Sequence, residues 1–179
     1  GSGTLTGVHN ILLGDCAGKR ITSGTKNIAI GLNAMREGNP VTGSYNVLFG
    51  ERAGRDLTGG HRNTVIGRWA GKYLTDGGHN IMLGHVSGCC VTTGFYNTLI
   101  GVSAGKRIQG GFNNIAIGHE AGQNIENASN NIVIGCQVDT TSPSTSGELK
   151  IGAGSTILIS GEFDGGTVTL AGLATANPT

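Results

Sequence analysis

Charge is scarce in this chain of 179 residues: Asp, Glu, Lys and Arg together make up 13%, about half the usual share. The formal balance of +1 gives no reason to expect nucleic acid as a partner. Aromatic residues reach only 4%, which excludes a large aromatic-rich globular core. No apolar run approaches the ~20 residues of a membrane-spanning helix, so no membrane insertion is expected. No signal peptide is visible, and Gly1-Ser2-Gly3 reads as a cloning scar within a lead-in of residues 1–9. Catalytic signatures are missing too. There is no G-x-S-x-G or H-E-x-x-H, and the 11 acidic residues form no obvious inward pair for glycosidase chemistry. The four cysteines and five histidines show no C-x-x-C or H-x-x-x-H spacing. Neither enzyme activity, metal nor cofactor is expected.

Glycine is what the chain has in excess, at 34 residues, and it is placed periodically. Asn followed by three mostly apolar residues and Gly recurs at Asn10, Asn27, Asn46, Asn63, Asn80, Asn97, Asn114 and Asn131. The steps are 17 residues except one of 19, which carries the insertion Arg36-Glu37-Gly38-Asn39-Pro40. The unit reads N-[IVT]-[LAVM]-[ILF]-G-x-x-[AS]-G-x-x-[ILV]-T-x-G-x-x. A helix is excluded, because each Gly costs ~1 kcal/mol in a helix interior and no 3.6-residue apolar period appears. A strand of four residues followed by a Gly-x-x-Ala-Gly turn, a second short strand and a return turn closes one coil. The spacing therefore predicts an all-β solenoid of about eight coils over residues 10–135, stacked at ~4.8 Å. The Asn side chains fall in one ladder, amide to amide.

Within each coil the second and fourth residues are expected to point inward, opposite Ala at the eighth place and Ile, Leu or Val at the twelfth. The third residue then points out, giving an apolar stripe of Leu12, Ala29, Leu48, Val65, Met82, Leu99, Ala116 and Val133. Such a stripe exceeds the few hundred Å² that monomers leave in water, so another chain is expected to cover it. Residues 136–147 read as a Ser/Thr/Pro linker. Residues 148–179 read as a small C-terminal β region that closes the rod, since an open coil end templates aggregation.

The segments Asn27-Ile28-Ala29-Ile30-Gly31 and Asn114-Ile115-Ala116-Ile117-Gly118 resemble the N-x-x-I-G coils of trimeric autotransporter adhesin heads. The longer unit resembles repeats of phage tail fibres and of tail-fibre-like bacterial surface proteins, and Leu149 to Gly172 resembles the sheet that follows such repeats. The resemblance implies a β-roll, left-handed as in the adhesin heads, assembled as a parallel homotrimer. It also implies an extracellular role in attachment, on a virion or a bacterial surface. The period of 17 is longer than in the adhesin heads.

The expected partner of such a fibre is a cell-surface receptor, with a glycan as the leading class. The insertion offers Arg36 and Asn39. The two places before each Asn offer Tyr45, His61, Arg62, His79, Phe95, Tyr96 and Phe112, whose aromatic and hydrogen-bonding side chains suit a sugar face, or the filling of space between chains. Lys19, Arg20, Arg55, Lys72, Lys106 and Arg107 share the tenth and eleventh places. They would line an edge able to steer an anionic glycan or to repel sideways association. Two other functions fit the repeat less well. A left-handed β-helix acyltransferase needs about three hexapeptides per coil where this unit has one. An ice-binding solenoid needs a flat T-x-T double rank, whereas Thr22, Thr58, Thr75 and Thr92 sit in T-x-G.

Overall fold

The computed structural model describes residues 6–37 and 40–171, and all regular structure in them is β. Each repeat contributes one three-residue strand: β1 (Ile11–Leu13), β2 (Ile28–Ile30), β3 (Val47–Phe49), β4 (Thr64–Ile66), β5 (Ile81–Leu83), β6 (Thr98–Ile100), β7 (Ile115–Ile117) and β8 (Ile132–Ile134). Consecutive strands pair in parallel, with like residues in register, as in Leu48↔Val65 and Met82↔Leu99. The chain is thus a β-solenoid of about eight coils with the 17-residue spacing read from its sequence.

The expected second strand of the coil is absent among the described residues. Its place is taken by tight turns, in which Ala53 N–H donates to Gly50 C=O and Leu57 N–H to Gly54 C=O. Neighbouring coils still bond there, as Thr58 N–H does to Thr75 C=O at 3.0 Å. Glycine makes this return possible. A Cβ on Gly50, where φ is +133°, would lie 2.7 Å from the carbonyl of Gly67 in the next coil.

The inside and outside of the strands are the reverse of the expectation. Leu48, Val65, Met82, Leu99 and Val133 are fully buried, each in its own coil, together with Ala29 and Ala116. Leu12 faces the same way, against the position of Gly18, and is 44% exposed on the terminal strand. These third-place residues pack with the eighth and twelfth places, for example Val65 with Ala70 and Leu74, in one continuous core. Leu48, Val65, Met82, Leu99 and Val133 are therefore not available to a neighbouring chain as a solvent-facing stripe, and Leu12 is open only because its strand is the terminal one. The physical reason is the Asn ladder. Side chains two apart on a strand share a face. From Asn27 to Asn131 the ladder asparagines are buried and bonded inside the coil, so the third residue must also point in. One detail follows from the same packing. Met35 replaces the ninth-place Gly and is fully buried in a coil whose third residue is only Ala29, so bulk is exchanged between two places of one coil.

Every interior Asn is satisfied. Asn63 donates its amide to Asn46 Oδ1 at 3.0 Å and to Gly77 C=O at 2.9 Å. Its own Oδ1 accepts the backbone and side-chain N–H of Asn80, both at 3.0 Å.

The pattern also runs one coil beyond Gly135. β9 (Glu148–Ala153) pairs in parallel with β8, and Leu149 and Ile151 align with Ile132 and Ile134. Residues 136–147 are the return of the eighth coil rather than a linker: Glu126 N–H donates to Pro143 C=O, and Asn131 donates to Thr145 C=O. Glu148 takes the ladder place and Lys150 the core place, with Lys150 Nζ 3.6 Å from Glu148 Oε1. A β-hairpin of β10 (Thr156–Glu162) and β11 (Thr167–Leu170) then adds antiparallel to β9.

Candidate functional site

With the third residue inside, the second and fourth places form the outer face of the sheet. Of those sixteen residues in β1–β8, fourteen are Ile, Leu, Val or Phe and two are Thr. A solvated face would carry polar residues here. Instead Leu13 is 65% exposed and Phe49 52%, and most of the others are half-buried only by their neighbours in the row. Leu149 and Ile151 carry the face onto β9 by register.

Left-handed corners bound this face on both sides. Among the described residues seventeen non-glycine residues have positive φ, and all but Met35 lie at the seventh place of a coil or at its last place, immediately before the next ladder Asn and seventeenth in a regular unit. A left-handed conformation costs a non-glycine residue roughly 1–2 kcal/mol, less for Asn. Side chains kept at such corners where Gly or Asn would be easier are candidates for function.

The seventeenth-place corner gathers most of the predicted receptor residues. Tyr45 lies between Lys26, whose Nζ is 5.0 Å from the ring centroid, and Arg62 at 5.5 Å. Lys26 also donates to the Tyr45 hydroxyl at 3.1 Å. The His79 and Tyr96 rings stack at 4.9 Å, and His61 meets His79 edge-on at 5.3 Å. Phe95 closes the cluster 6.4 Å from His61 and leans over Gly78, where a Cβ would crowd its ring. Phe112 continues the row, exposed. The product is a rank of planar and cationic groups along the rod. Arg36 is not part of it. It occupies a tenth place, past the far end of the strand, and pairs with Glu37 at 3.1 Å. Asn39 lies outside the described residues, as do Gly1-Ser2-Gly3.

The opposite corner holds what the repeat-based reading passed over. Trp69 sits at a seventh place with φ 61°, and Arg52 is directly below it with φ 57°. Arg68, Lys72 and Arg52 lie 4.1, 5.3 and 6.0 Å from the indole centroid. Glu51 pairs with Arg68 at 3.0 Å, and that guanidinium holds its carboxyl below the ordinary range. Arg55 is occupied by Asp56 at 2.6 Å. The signal in the sequence was composition alone, since Trp69 is the only tryptophan.

Other clusters are chemically quiet. The four cysteines are free thiols. Cys136 Sγ is 3.8 Å from His119 Nδ1, and Glu120 is 3.9 Å from the other ring nitrogen, too far for a hydrogen bond. Among the described residues no three His, Cys, Asp or Glu side chains converge on a point. Among the described residues no helix is long and apolar enough to cross a membrane. The hydroxyls of Thr22, Thr75 and Thr92 bond backbone carbonyls of the next coil rather than forming a free rank. Among known proteins, no family model matches the chain, nor does any curated protein or solved structure.

Proposed function

We propose that this chain is a segment of an extracellular trimeric fibre that attaches to a cell-surface receptor, with a glycan as the leading class. The observation that carries the reading is the apolar outer face of the sheet. Nine parallel strands at ~4.8 Å, each ~10 Å long, present a face on the order of 400 Å². That is at the limit of what a monomer leaves in water. A second copy supplies the same face, and three copies about an axis cover all three. The interface residues are then those of the second and fourth places, such as Phe49, Ile66 and Ile81, in place of the third. The resemblance to adhesin-head and tail-fibre repeats supports the count of three and the parallel arrangement.

The rank from Tyr45 to Tyr96 supports the attachment role. Its aromatic faces, imidazoles and cations stand at a strained corner, beside the apolar face rather than on it. Flat rings with hydrogen-bonding neighbours suit the apolar face and hydroxyl edge of a sugar.

Mass measurement in solution tests the assembly. A particle near three times 18.1 kDa is expected, and a stable monomer sinks the reading. A glycan array probed with the purified protein tests attachment. Binding that disappears in Tyr96→Ala supports the rank as receptor contact, and binding untouched by Tyr96→Ala and His79→Ala together removes it.

A further inference from the structure

We propose that the Trp69 corner is a second binding site, and that its ligand is an acidic saccharide bearing carboxylate or sulfate groups. The site lies on coils three and four, at the opposite end of the strands from the Tyr45–Tyr96 rank.

Charge is the first ground. Arg52, Arg68 and Lys72 converge on one indole within 6.0 Å of its centroid. Among the described residues Glu51 is the only acid paired with any of the three, at 3.0 Å from Arg68 and 3.7 Å from Arg52. Arg55 and Asp56 neutralise each other alongside. Two positive charges are left over at one spot, in a chain whose whole balance is +1. Like charges this close repel, and an anion relieves the repulsion.

Conformation is the second ground. Trp69 and Arg52 both occupy left-handed corners, at φ 61° and 57°. A large aromatic is among the costlier residues to hold there. The side chain contributes little to the core in return, because the seventh place lies outside the rows that form it.

Chemistry is the third. The indole Nε1–H is buried without an acceptor in full hydrogen-bond geometry, and the carboxylate it influences is Glu51, the acid already paired with Arg68. An aromatic plate ringed by guanidinium and ammonium groups offers planar, bidentate donors to a carboxylate or sulfate and an apolar surface to a sugar ring. The anion pocket follows from these residues alone; the choice of a saccharide to carry the anion rests on the attachment reading.

The single tryptophan makes the test selective, because intrinsic tryptophan emission reports this corner and nothing else. The protein is titrated with a heparin hexasaccharide, a hyaluronan hexasaccharide and a neutral glucan hexasaccharide. A saturable emission change is expected with at least one acidic probe and none with the glucan; which acidic probe acts separates sulfate from carboxylate. Raising the salt from about 50 to about 200 mM weakens binding several-fold. Arg52→Ser with Arg68→Ser lowers affinity by about tenfold or more, with the circular dichroism spectrum unchanged. Ser155→Ala, exposed in the turn between β9 and β10 and outside both sites, leaves it unaltered. No saturable change with either acidic probe overturns the proposal. So does an equal response to the glucan, or a response that survives the double substitution. Solution mass is recorded on the same samples, so failure here is distinguishable from failure of the fibre reading.

Discussion

Oδ1 of Asn80 accepts two hydrogen bonds from Asn97, one from its backbone N–H at 2.9 Å and one from its side-chain amide at 3.1 Å. The same Asn97 amide donates to Gly111 C=O at 2.8 Å, and Asn97 Oδ1 repeats the pattern toward Asn114. One side chain therefore ties three coils and one return turn together. Asn97→Ala leaves several buried polar atoms without partners, at 1–3 kcal/mol each, with relaxation offsetting part. A loss of roughly 3 kcal/mol in urea-unfolding free energy is expected. Asn97→Asp is expected to be comparably harmful at neutral pH. The carboxylate has no N–H to give and would face Asn80 Oδ1. A loss under ~0.5 kcal/mol for both would show that the ladder is incidental.

The inverted phase of the strands gives a paired prediction. Met82 is fully buried, whereas Ile81 beside it is 41% exposed. Met82→Asp buries an unpaired charge, and no folded protein is expected. Ile81→Asp retains the β spectrum and, on the fibre reading, yields monomers in a solution-mass measurement. Trimers of normal stability from Ile81→Asp and Ile66→Asp together would place the interface elsewhere.

Glycine at the fifth place is expected to be irreplaceable. Gly50→Ala must adopt φ near +133° and meet the Gly67 carbonyl at 2.7 Å. The neighbouring atoms are backbone and cannot swing aside, so expression of soluble protein should fail. Gly154→Ala is the control. Its φ of +55° is the left-handed one, yet nothing lies within 4 Å of the added methyl. A cost of about 1 kcal/mol is expected there from thermal unfolding.

The thiols give a pH signature. Burial, with Cys90 adding to it, pushes the Cys89 thiol up to about 11 from its ordinary 9.0. Between those values the unfolded chain loses the proton and the folded chain keeps it. The unfolded state then binds fewer protons, so stability falls as pH rises from about 9 toward about 11. Urea midpoints across that window should decline, and Cys89→Ala should flatten the decline. Alkylation near neutral pH should reach exposed Cys136 well before Cys89.

Much of this architecture was legible in the sequence because a period is a global signal. Asn and Gly at fixed spacing locate every one of the eight strands. The phase was not legible from apolarity, since three consecutive apolar residues satisfy either face. Two clues pointed the right way. Thr64 and Thr98 stand at the second place, and no polar residue stands at the third in any of the eight coils. The Asn ladder, once taken as buried, fixes the rest by alternation. The ninth coil was hidden because Glu148 and Lys150 replace Asn and an apolar residue, so the motif vanishes while the backbone register continues. The aromatic rank was visible because its members share the two places before each Asn in the repeat. The Trp69 corner draws on the sixth, seventh and tenth places of two coils, and no single column of the repeat shows it.

Glu148 accepts hydrogen bonds from Thr141 and offers only its backbone N–H to Asn131. A carboxylate there has no N–H to give to Asn131, and its oxygens are taken by Thr141 and Lys150 rather than by a further ladder residue. The interior coils, by contrast, present the same donors and acceptors above and below. Copies of such a unit can be gained or lost by in-frame duplication or deletion of 17 residues, and the joints on either side still match. Axial reach is therefore a quantity this gene can vary in steps of ~4.8 Å, while the end with its own stopper is inherited whole.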